Sequence, residues 1–300
     1  MKVLNYGSLN VDYVYSVDHI IVGGETQHSS KLEVFSGGKG LNQSIALAKA
    51  GVPVYHAGIV GTDGDILLEA CKEAGVNTKY IRRLPVKGGH TMIQVDKNAQ
   101  NCIILYGGTN QMQTKEFVDE VLADFGEGDY LILQNEINMV GEIIRLSHEK
   151  GCRVVFNASP IPKNPEELPL ELVDIFMVNE LEAAALAGTS AEGDFRDILK
   201  ALQKKYPKAA IVMTLGKDGV LYGYKEEFYS HPIFKVNAVD TTAAGDTFCG
   251  YFLAALCAGK SVEMALREAS AASAMAVSAK GAAPSIPVHS AMEEWLRGRS

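Results

Sequence analysis

The sequence predicts an α/β protein: a mainly parallel sheet covered by helices on both faces, with a small antiparallel sheet appended near its start. Three observations carry that expectation. Short runs that are apolar throughout alternate with helix-period segments along most of the chain, the pattern of parallel strands buried on both faces. Two stretches break the rhythm with strict alternation, as half-exposed strands do. Polar residues collect just beyond the carboxyl ends of the apolar runs, where open α/β sheets bind their ligands.

Taken in order, "KVLNYG" opens the chain as a strand, followed by the first alternating stretch, residues 11–35 ("VDYVYSVDHI", then "KLEVF"). "LNQSIALAKAG" has helical periodicity, starts near Asn42 and is closed by Gly51, a residue suited to the left-handed turn that ends helices. "VPVYHAGIV" is the next strand and "DILLEACKEAG" the next helix, ending at Gly75. Residues 90–106 read as a hairpin, "HTMIQVD" then "NCIILYG". Four short apolar runs complete the sheet: "YLILQNE", "CRVVFNA", "IFMVNE" and "AIVMTLG". No Pro/Ser-rich linker divides the chain. Residues 1–300 are therefore expected to form one domain, with a lid made by strands within about 11–35 and 90–106.

Composition narrows the function. The hydrophobic fraction is 47% and the charged fraction 21%, those of an ordinary globular protein. A net charge of −8 argues against a nucleic-acid surface but not against a phosphorylated ligand, which backbone N–H groups and a metal can hold in an acidic protein. Five scattered cysteines show neither CxxC spacing nor a pairing rhythm, which points to a reducing compartment and no zinc site. The start "MKVLNYGSLN" resembles neither a secretory nor a transit segment, so a cytoplasmic protein is expected.

Two common phosphate motifs are missing. No G-x-G-x-x-G follows the first strand, and "AALCAGKS" (254–261) has Ala254 in place of the first P-loop glycine and closes a helix instead of opening one. Two other glycine-bearing turns stand out. "SGGKGLNQS" (36–44) places Gly37, Gly38 and Gly40 before a helix. "VDTTAAGDTFCGYF" (239–252) runs small residues, Ala243, Ala244 and Gly245, into an apolar helix, with the acid Asp246 among them. Uncovered N–H groups at a helix start attract anions. An acid there is either a plain helix cap or a group placed for chemistry, and the spacing alone leaves both open.

Taken together, "GGKGLNQ", "NE" with Glu182 at NxxE spacing, "TLGKDG", "VDTTAAGDTF" and "GAAPSIP" occur in one order from Asn10 to Pro287. This set resembles the ribokinase family of carbohydrate kinases, the PfkB-type sugar kinases. The resemblance implies a three-layer α/β/α sandwich with a β lid that pairs across a homodimer. It also implies ATP-dependent transfer of the γ-phosphoryl group to the 5-hydroxyl of D-ribose, or to another small sugar or a nucleoside. A non-catalytic sugar-binding regulator on the same fold is disfavoured by the retention of Asp246.

The roles the resemblance implies are these. Asp246 is the catalytic base, beside an anion hole of the Ala243, Ala244 and Gly245 N–H groups. Asn10, Asp12, Gly38, Lys39, Gly40, Asn42 and Glu136 bind sugar. Asn179, Thr214, Leu215, Gly216, Lys217, Asp218, Gly219, Gly245 and Ser270 bind nucleotide, Ser270 standing where the family often has asparagine. Asn179 and Glu182 hold Mg²⁺ through water, and Asp240, Thr242, Ala276, Ala279, Gly281 and Ser285 hold an activating K⁺. Leu41 replaces a smaller residue beside the sugar loop. His90, Ile104 and Tyr106 are candidates for the wall a nucleoside base would need, and Arg82, Arg83 and Lys87 read as a solvated charge run or a phosphosugar contact. Val14, Val34, Ile93 and Ile103 are expected on one apolar lid face.

Overall fold

A computed structural model describes residues 1–98 and 100–299. The chain begins with β1 (Val3–Tyr6), whose four residues are all buried, then forms β2 (Asn10–Ser16) and β3 (Lys31–Gly37). Helix α1 (Lys39–Lys49) starts three residues before the expected Asn42. It can do so because Gly40 lies against the turn after β1: a Cβ there would stand 2.4 Å from the Ser8 nitrogen. Strand β4 (Val54–Val60), α2 (Asp65–Ala74) and β5 (Asn77–Arg83) follow. Gly75 closes α2 in the left-handed conformation, as expected.

The hairpin β6 (Gly89–Val95) and β7 (Asn101–Tyr106) leads to α3 (Lys115–Leu122), and then strands and helices alternate. These are β8 (Tyr130–Gln134), α4 (Val140–Glu149), β9 (Arg153–Asn157), β10 (Ile175–Asn179), α5 (Glu180–Ala187), α6 (Phe195–Lys205) and β11 (Ala210–Thr214). The antiparallel pair β12 (Val220–Tyr224) and β13 (Glu227–His231) closes the sheet, and α7 (Ala244–Cys257), α8 (Val262–Val277) and α9 (His289–Arg297) complete the chain.

Among the described residues the larger sheet has nine strands in the order β13-β12-β11-β10-β9-β8-β1-β4-β5, parallel except at the β12 and β13 end. Two cores lie against its two faces. Alternate strand residues such as Val3, Ile132 and Met177 face α1, α2, α7 and α8, while Leu4, Leu131 and Phe176 face α3 to α6. The result is a three-layer α/β/α sandwich, as the sequence predicts. Three strands escaped the sequence reading: β5, whose "NTKYIRR" is too polar for the buried-run pattern, and the edge hairpin β12–β13.

The smaller sheet has the order β3-β2-β6-β7. Its outer pairs are antiparallel, whereas the middle pair, β2 and β6, runs parallel because α1, α2 and two strands of the large sheet intervene between them. Register aligns Val14 with Ile93 and Ile103 but aligns Val34 with Tyr13. Val34 therefore projects from the face opposite Val14, which corrects the expectation of one shared face.

Topology locates the ligand crevice. From β1 the chain moves to β4 and β5 on one side, then crosses to β8 on the other side and continues outward. The carboxyl ends of β1 and β8 thus flank a topological switch point, where such sheets open a crevice. Ser8 and Glu136, just beyond these two ends, are hydrogen-bonded to each other.

Candidate active site

Helix α7 begins at Ala244, and its N-cap, Ala243, adopts φ 59°, ψ 9°. Left-handed backbone followed by helical backbone aims consecutive N–H groups at one point, a nest suited to anions. The first N–H groups of a helix have no intrahelical acceptor. That of Ala244 makes only a long contact, 3.3 Å, with the Thr241 carbonyl. Nothing lies within 4 Å of the position a Gly245 Cβ would take, so the space in front of this turn is open.

Asp246 sits in the first turn but does not cap the helix. Its carboxylate is only 7% exposed and turns towards α1. Asn42 Nδ2 donates to Asp246 Oδ2 at 3.0 Å, and Gln43 Nε2 donates to Oδ1 at 2.9 Å. Two amides from one helix thus hold a carboxylate on another. This geometry removes the plain helix-cap reading. Asn42 Oδ1 is buried and has no hydrogen-bond partner among the described residues, which leaves one acceptor unpaired beside Asp246.

On the crevice side, Glu136 Oε2 accepts from the Lys39 N–H at 3.0 Å and from the Ser8 hydroxyl. Burial pushes the Glu136 carboxyl above its ordinary pKa, partly offset by Lys39 and Ser8. Burial also opposes charge on Lys39, but Asp246, Glu136 and Glu182 outweigh it and hold the ammonium pKa above the usual lysine value. The cation therefore stays charged between three carboxylates. Asn10 Oδ1 accepts from Asn110 Nδ2 at 2.7 Å, and Asp12 Oδ1 accepts from the Thr91 hydroxyl at 2.6 Å across the β2–β6 pair. Burial raises the Asp12 pKa, with the Thr91 hydroxyl working against it. Gly38 turns the chain into α1 with φ +94°.

Two cavities meet at the start of α7. One, of about 220 Å³, is bordered by Lys39, Asn157, Asn179, Glu182 and the turn Ala243–Asp246. The other, of about 700 Å³, is mostly apolar and is bordered by Gly216, Lys217, Gly219, Ile233, Phe234, Ser270 and Val277. Thr214, Thr241, Ala244, Gly245 and Phe248 border both. Leu215 is buried in the core, and Asp218 borders neither cavity, so these two stand apart from the other candidate nucleotide residues.

Asn179 and Glu182 form a reciprocal capping box at the start of α5: Asn179 Oδ1 accepts from the Glu182 N–H at 2.8 Å, and Glu182 Oε2 accepts from the Asn179 N–H at 2.9 Å. The box uses one Glu182 oxygen, and Glu182 borders the smaller cavity. An oxygen-only donor set of this kind suits a hard divalent cation that keeps its waters. Just before the Ala243 turn, Asp240 accepts from the Thr242 N–H and hydroxyl, at 2.9 and 2.6 Å, and from the Gly281 N–H at 3.0 Å. Burial opposes its charge, yet these donors hold the Asp240 carboxyl below the usual range. Ala276 and Ala279 are joined by a backbone bond of 3.1 Å, while the Ser285 hydroxyl is engaged by the Ala282 carbonyl at 2.8 Å.

Several expectations change. His90 packs between Tyr13, edge-on with ring centroids 6.0 Å apart, and Tyr106, tilted with ring centroids 5.0 Å apart. Because Thr91 bonds Asp12, its neighbour His90 lies on the other face of the lid, together with Ile104 and Tyr106. They make no wall beside the sugar residues. Arg82, Arg83 and Lys87 pair with Glu120, Asp65 and Asp63, so no phosphosugar contact is built from them. Leu41 is wholly buried in the core. Gln43, Ser8, Asn110, Thr91 and Asn157 were missed. Gln43 lay within the quoted "GGKGLNQ", but its pairing with an acid 203 residues away leaves no mark on local spacing.

Comparison with known proteins agrees with this geometry. A family model described as pfkB family carbohydrate kinase matches residues 1–289. A ribokinase of Haemophilus influenzae is 35% identical over 297 residues, covering 97% of this chain and 96% of the relative. The structure of a ribokinase from Thermotoga maritima superposes with a TM-score of 0.88 at 34% identity, covering 99% of both chains. That of an Arabidopsis thaliana ribokinase, solved with ribose and ATP, gives 0.87 at 30% identity over 99% of this chain and 98% of its own. With its family-wide match spanning the sheet, the lid and the Asp246 turn alike, this chain belongs to the pfkB family of carbohydrate kinases.

Proposed function

We propose that the protein transfers the γ-phosphoryl group of ATP to the 5-hydroxyl of D-ribose, with residues 1–300 acting as one catalytic domain and the small sheet as its lid. The observation that carries this reading is the Asp246 carboxylate, buried, held by two α1 amides, and bordering the smaller cavity one residue from Gly245, which borders both. The larger apolar cavity suits a purine nucleoside, its border with the smaller one suits the γ-phosphate, and the polar crevice of Asn10, Asp12, Asn42 and Glu136 suits a polyol. Full-length similarity to ribokinases, one of them solved with ribose and ATP, supports ribose and ATP as the substrates. A nucleoside acceptor loses support from the position of His90, Ile104 and Tyr106.

Asp246 accepts the proton of the 5-hydroxyl as the sugar oxygen bonds to the γ-phosphorus and the bond to the β-γ bridging oxygen breaks, releasing ADP. Charge developing on the transferring group is met by the N–H groups of Ala243, Ala244 and Gly245 and by the Lys39 ammonium. Asn179 and Glu182 would hold Mg²⁺ through water, and that ion supplies charge neutralisation at the nucleotide phosphates. Asp240, Thr242, Ala276, Ala279, Gly281 and Ser285 would hold K⁺, whose charge would steady the turn before Gly245. The exposed Leu32, Val34, Ile104 and Tyr106, on the lid face opposite Asp12, give the lid an apolar surface that a second copy of the chain covers in a homodimer. Five free thiols support a reducing, cytoplasmic setting; among the described residues no helix is long and apolar enough to cross a membrane.

Asp246→Asn should bind both substrates but turn over about 10²- to 10⁴-fold more slowly, the usual worth of a positioned general base. ADP release measured with D-ribose, 2-deoxyribose, other pentoses and adenosine checks this, with D-ribose expected to give the highest kcat/KM. Near-wild-type turnover by the variant would remove Asp246 from the mechanism, and a preference for adenosine would replace the substrate. K⁺ at fixed ionic strength should raise kcat more than Na⁺ or a bulky organic cation, and Asp240→Ala should abolish the difference. Equal rates in all three salts would refute the cation site. Sedimentation velocity should give twice the 32.3 kDa chain mass; a purely monomeric species would refute the lid dimer.

A further inference from the structure

Behind Asp246 lies a chain of buried amides, Gln43, Gln134 and Asn5, none of which borders either cavity. Gln43 Nε2 spends its two hydrogens on Asp246 Oδ1, at 2.9 Å, and on Asn157 Oδ1, at 3.2 Å. Its Oε1 accepts from Gln134 Nε2 at 2.7 Å. Gln134 Nε2 gives its second hydrogen to Asn5 Oδ1 at 3.1 Å. Asn5 Nδ2 donates to the Gly40 carbonyl at 2.7 Å and to Ser44 Oγ at 2.9 Å. Ser44 and His56 Nδ1 are 2.8 Å apart, and His56 Nε2 faces the Gly7 carbonyl at 3.2 Å.

The polarity of this chain is fixed from its far end. A carbonyl accepts only, so the Gly40 oxygen requires the Asn5 amide to point its nitrogen there and its oxygen at Gln134. The Gly7 oxygen likewise requires an Nε2–H on His56, which leaves Nδ1 to accept from the Ser44 hydroxyl and Ser44 Oγ to accept from Asn5. Burial pushes the His56 pKa down to about 4, which keeps the ring neutral and in that role. Gln134 then has to donate to two oxygens at once, and its own Oε1 is left without a partner among the described residues. Turned round, the Gln134 amide would set its Oε1 against two acceptors, the Gln43 and Asn5 oxygens. An unpaired buried oxygen is therefore tolerated to keep the direction of the chain.

We propose that Gln134 and Asn5 orient the Gln43 amide, so that a relay anchored on the β1 and α1 backbone presents N–H, never C=O, to the base. Gln43, Gln134 and Asn5 are positioning residues: none reaches the reacting atoms except through Asp246. The inference rests on Asp246 as the base of the proposed reaction.

The test is a double-variant cycle on kcat and KM. Gln43→Met should lower kcat about ten- to hundredfold, the worth of one hydrogen bond to a charged group, and leave KM for ribose and ATP within about threefold, the spread of a change that spares substrate contacts. Gln134→Met should lower kcat by a smaller factor, again with KM unchanged. Because Gln134 acts only through Gln43, the double variant should be no slower than Gln43→Met alone. Losses that multiply, or that fall on KM, overturn the relay. If Gln43→Met does not fold, Gln134→Met alone decides: unchanged kcat overturns the proposal.

A second readout needs no turnover. In protein labelled with ¹⁵N-glutamine, the Gln43 side-chain amide should give one sharp, exchange-protected pair of resonances, which broaden or double in Gln134→Met. An unperturbed Gln43 pair overturns the relay even if the kinase reading stands. A wild type inactive on every sugar, with the Gln43 pair perturbed as expected, would instead sink the kinase reading and leave the relay intact.

Discussion

Everything at the reacting centre depends on how closely α1 and α7 approach. Gly250 makes that approach possible: a Cβ there would stand 2.4 Å from Ala46 Cβ and 2.9 Å from the Leu47 nitrogen. Backbone cannot yield as a flexible side chain can, so a methyl at this contact would cost about 1–3 kcal/mol by overpacking or push the helices apart. One turn before that contact on each helix, Asn42 and Gln43 meet Asp246. A buried carboxylate without such donors would be strongly disfavoured. The helix packing thus fixes both where the acid sits and what keeps it there.

The same helix start divides the work between two cavities. The N–H groups of the Ala243 turn border the cavities and suit anionic oxygens, while the carboxylate three residues on is held by the α1 amides. Attractive and repulsive charges therefore share one turn. Lys39 spans the divide, kept charged by Asp246, Glu136 and Glu182 against its own burial. Its backbone N–H fixes Glu136 at the same time, so a single residue couples the switch-point crevice to the phosphoryl side.

The sequence made the layered architecture legible because a parallel sheet buried on both faces leaves continuous apolar runs, as in "YLILQ" and "IFMVN". It hid β5, where Lys79, Arg82 and Arg83 place charge on an edge strand, and the β12–β13 pair, where Gly223 interrupts the apolar run of β12 and β13 is a short, polar edge strand. The Asp246 turn was legible as an anion site with an acid in it, but nothing local could say that the acid faces Asn42 and Gln43. Likewise, the lid's faces follow from register, and register put Val34, His90, Ile104 and Tyr106 opposite Asp12. Contacts across more than a hundred residues, such as Ser8 with Glu136, 128 positions apart, have no period to betray them.

The central claim is that the Asp246 carboxylate meets a sugar hydroxyl in line with the phosphoryl group held by the Ala243 turn. A crystal structure with D-ribose and a non-hydrolysable ATP analogue tests it most directly. The account predicts the 5-hydroxyl within hydrogen-bond distance of Asp246, about 2.6–3.2 Å, and γ-phosphoryl oxygens against the N–H groups of Ala243 to Gly245. A sugar whose 5-hydroxyl points away from Asp246, or a γ-phosphoryl group bound elsewhere, would contradict it.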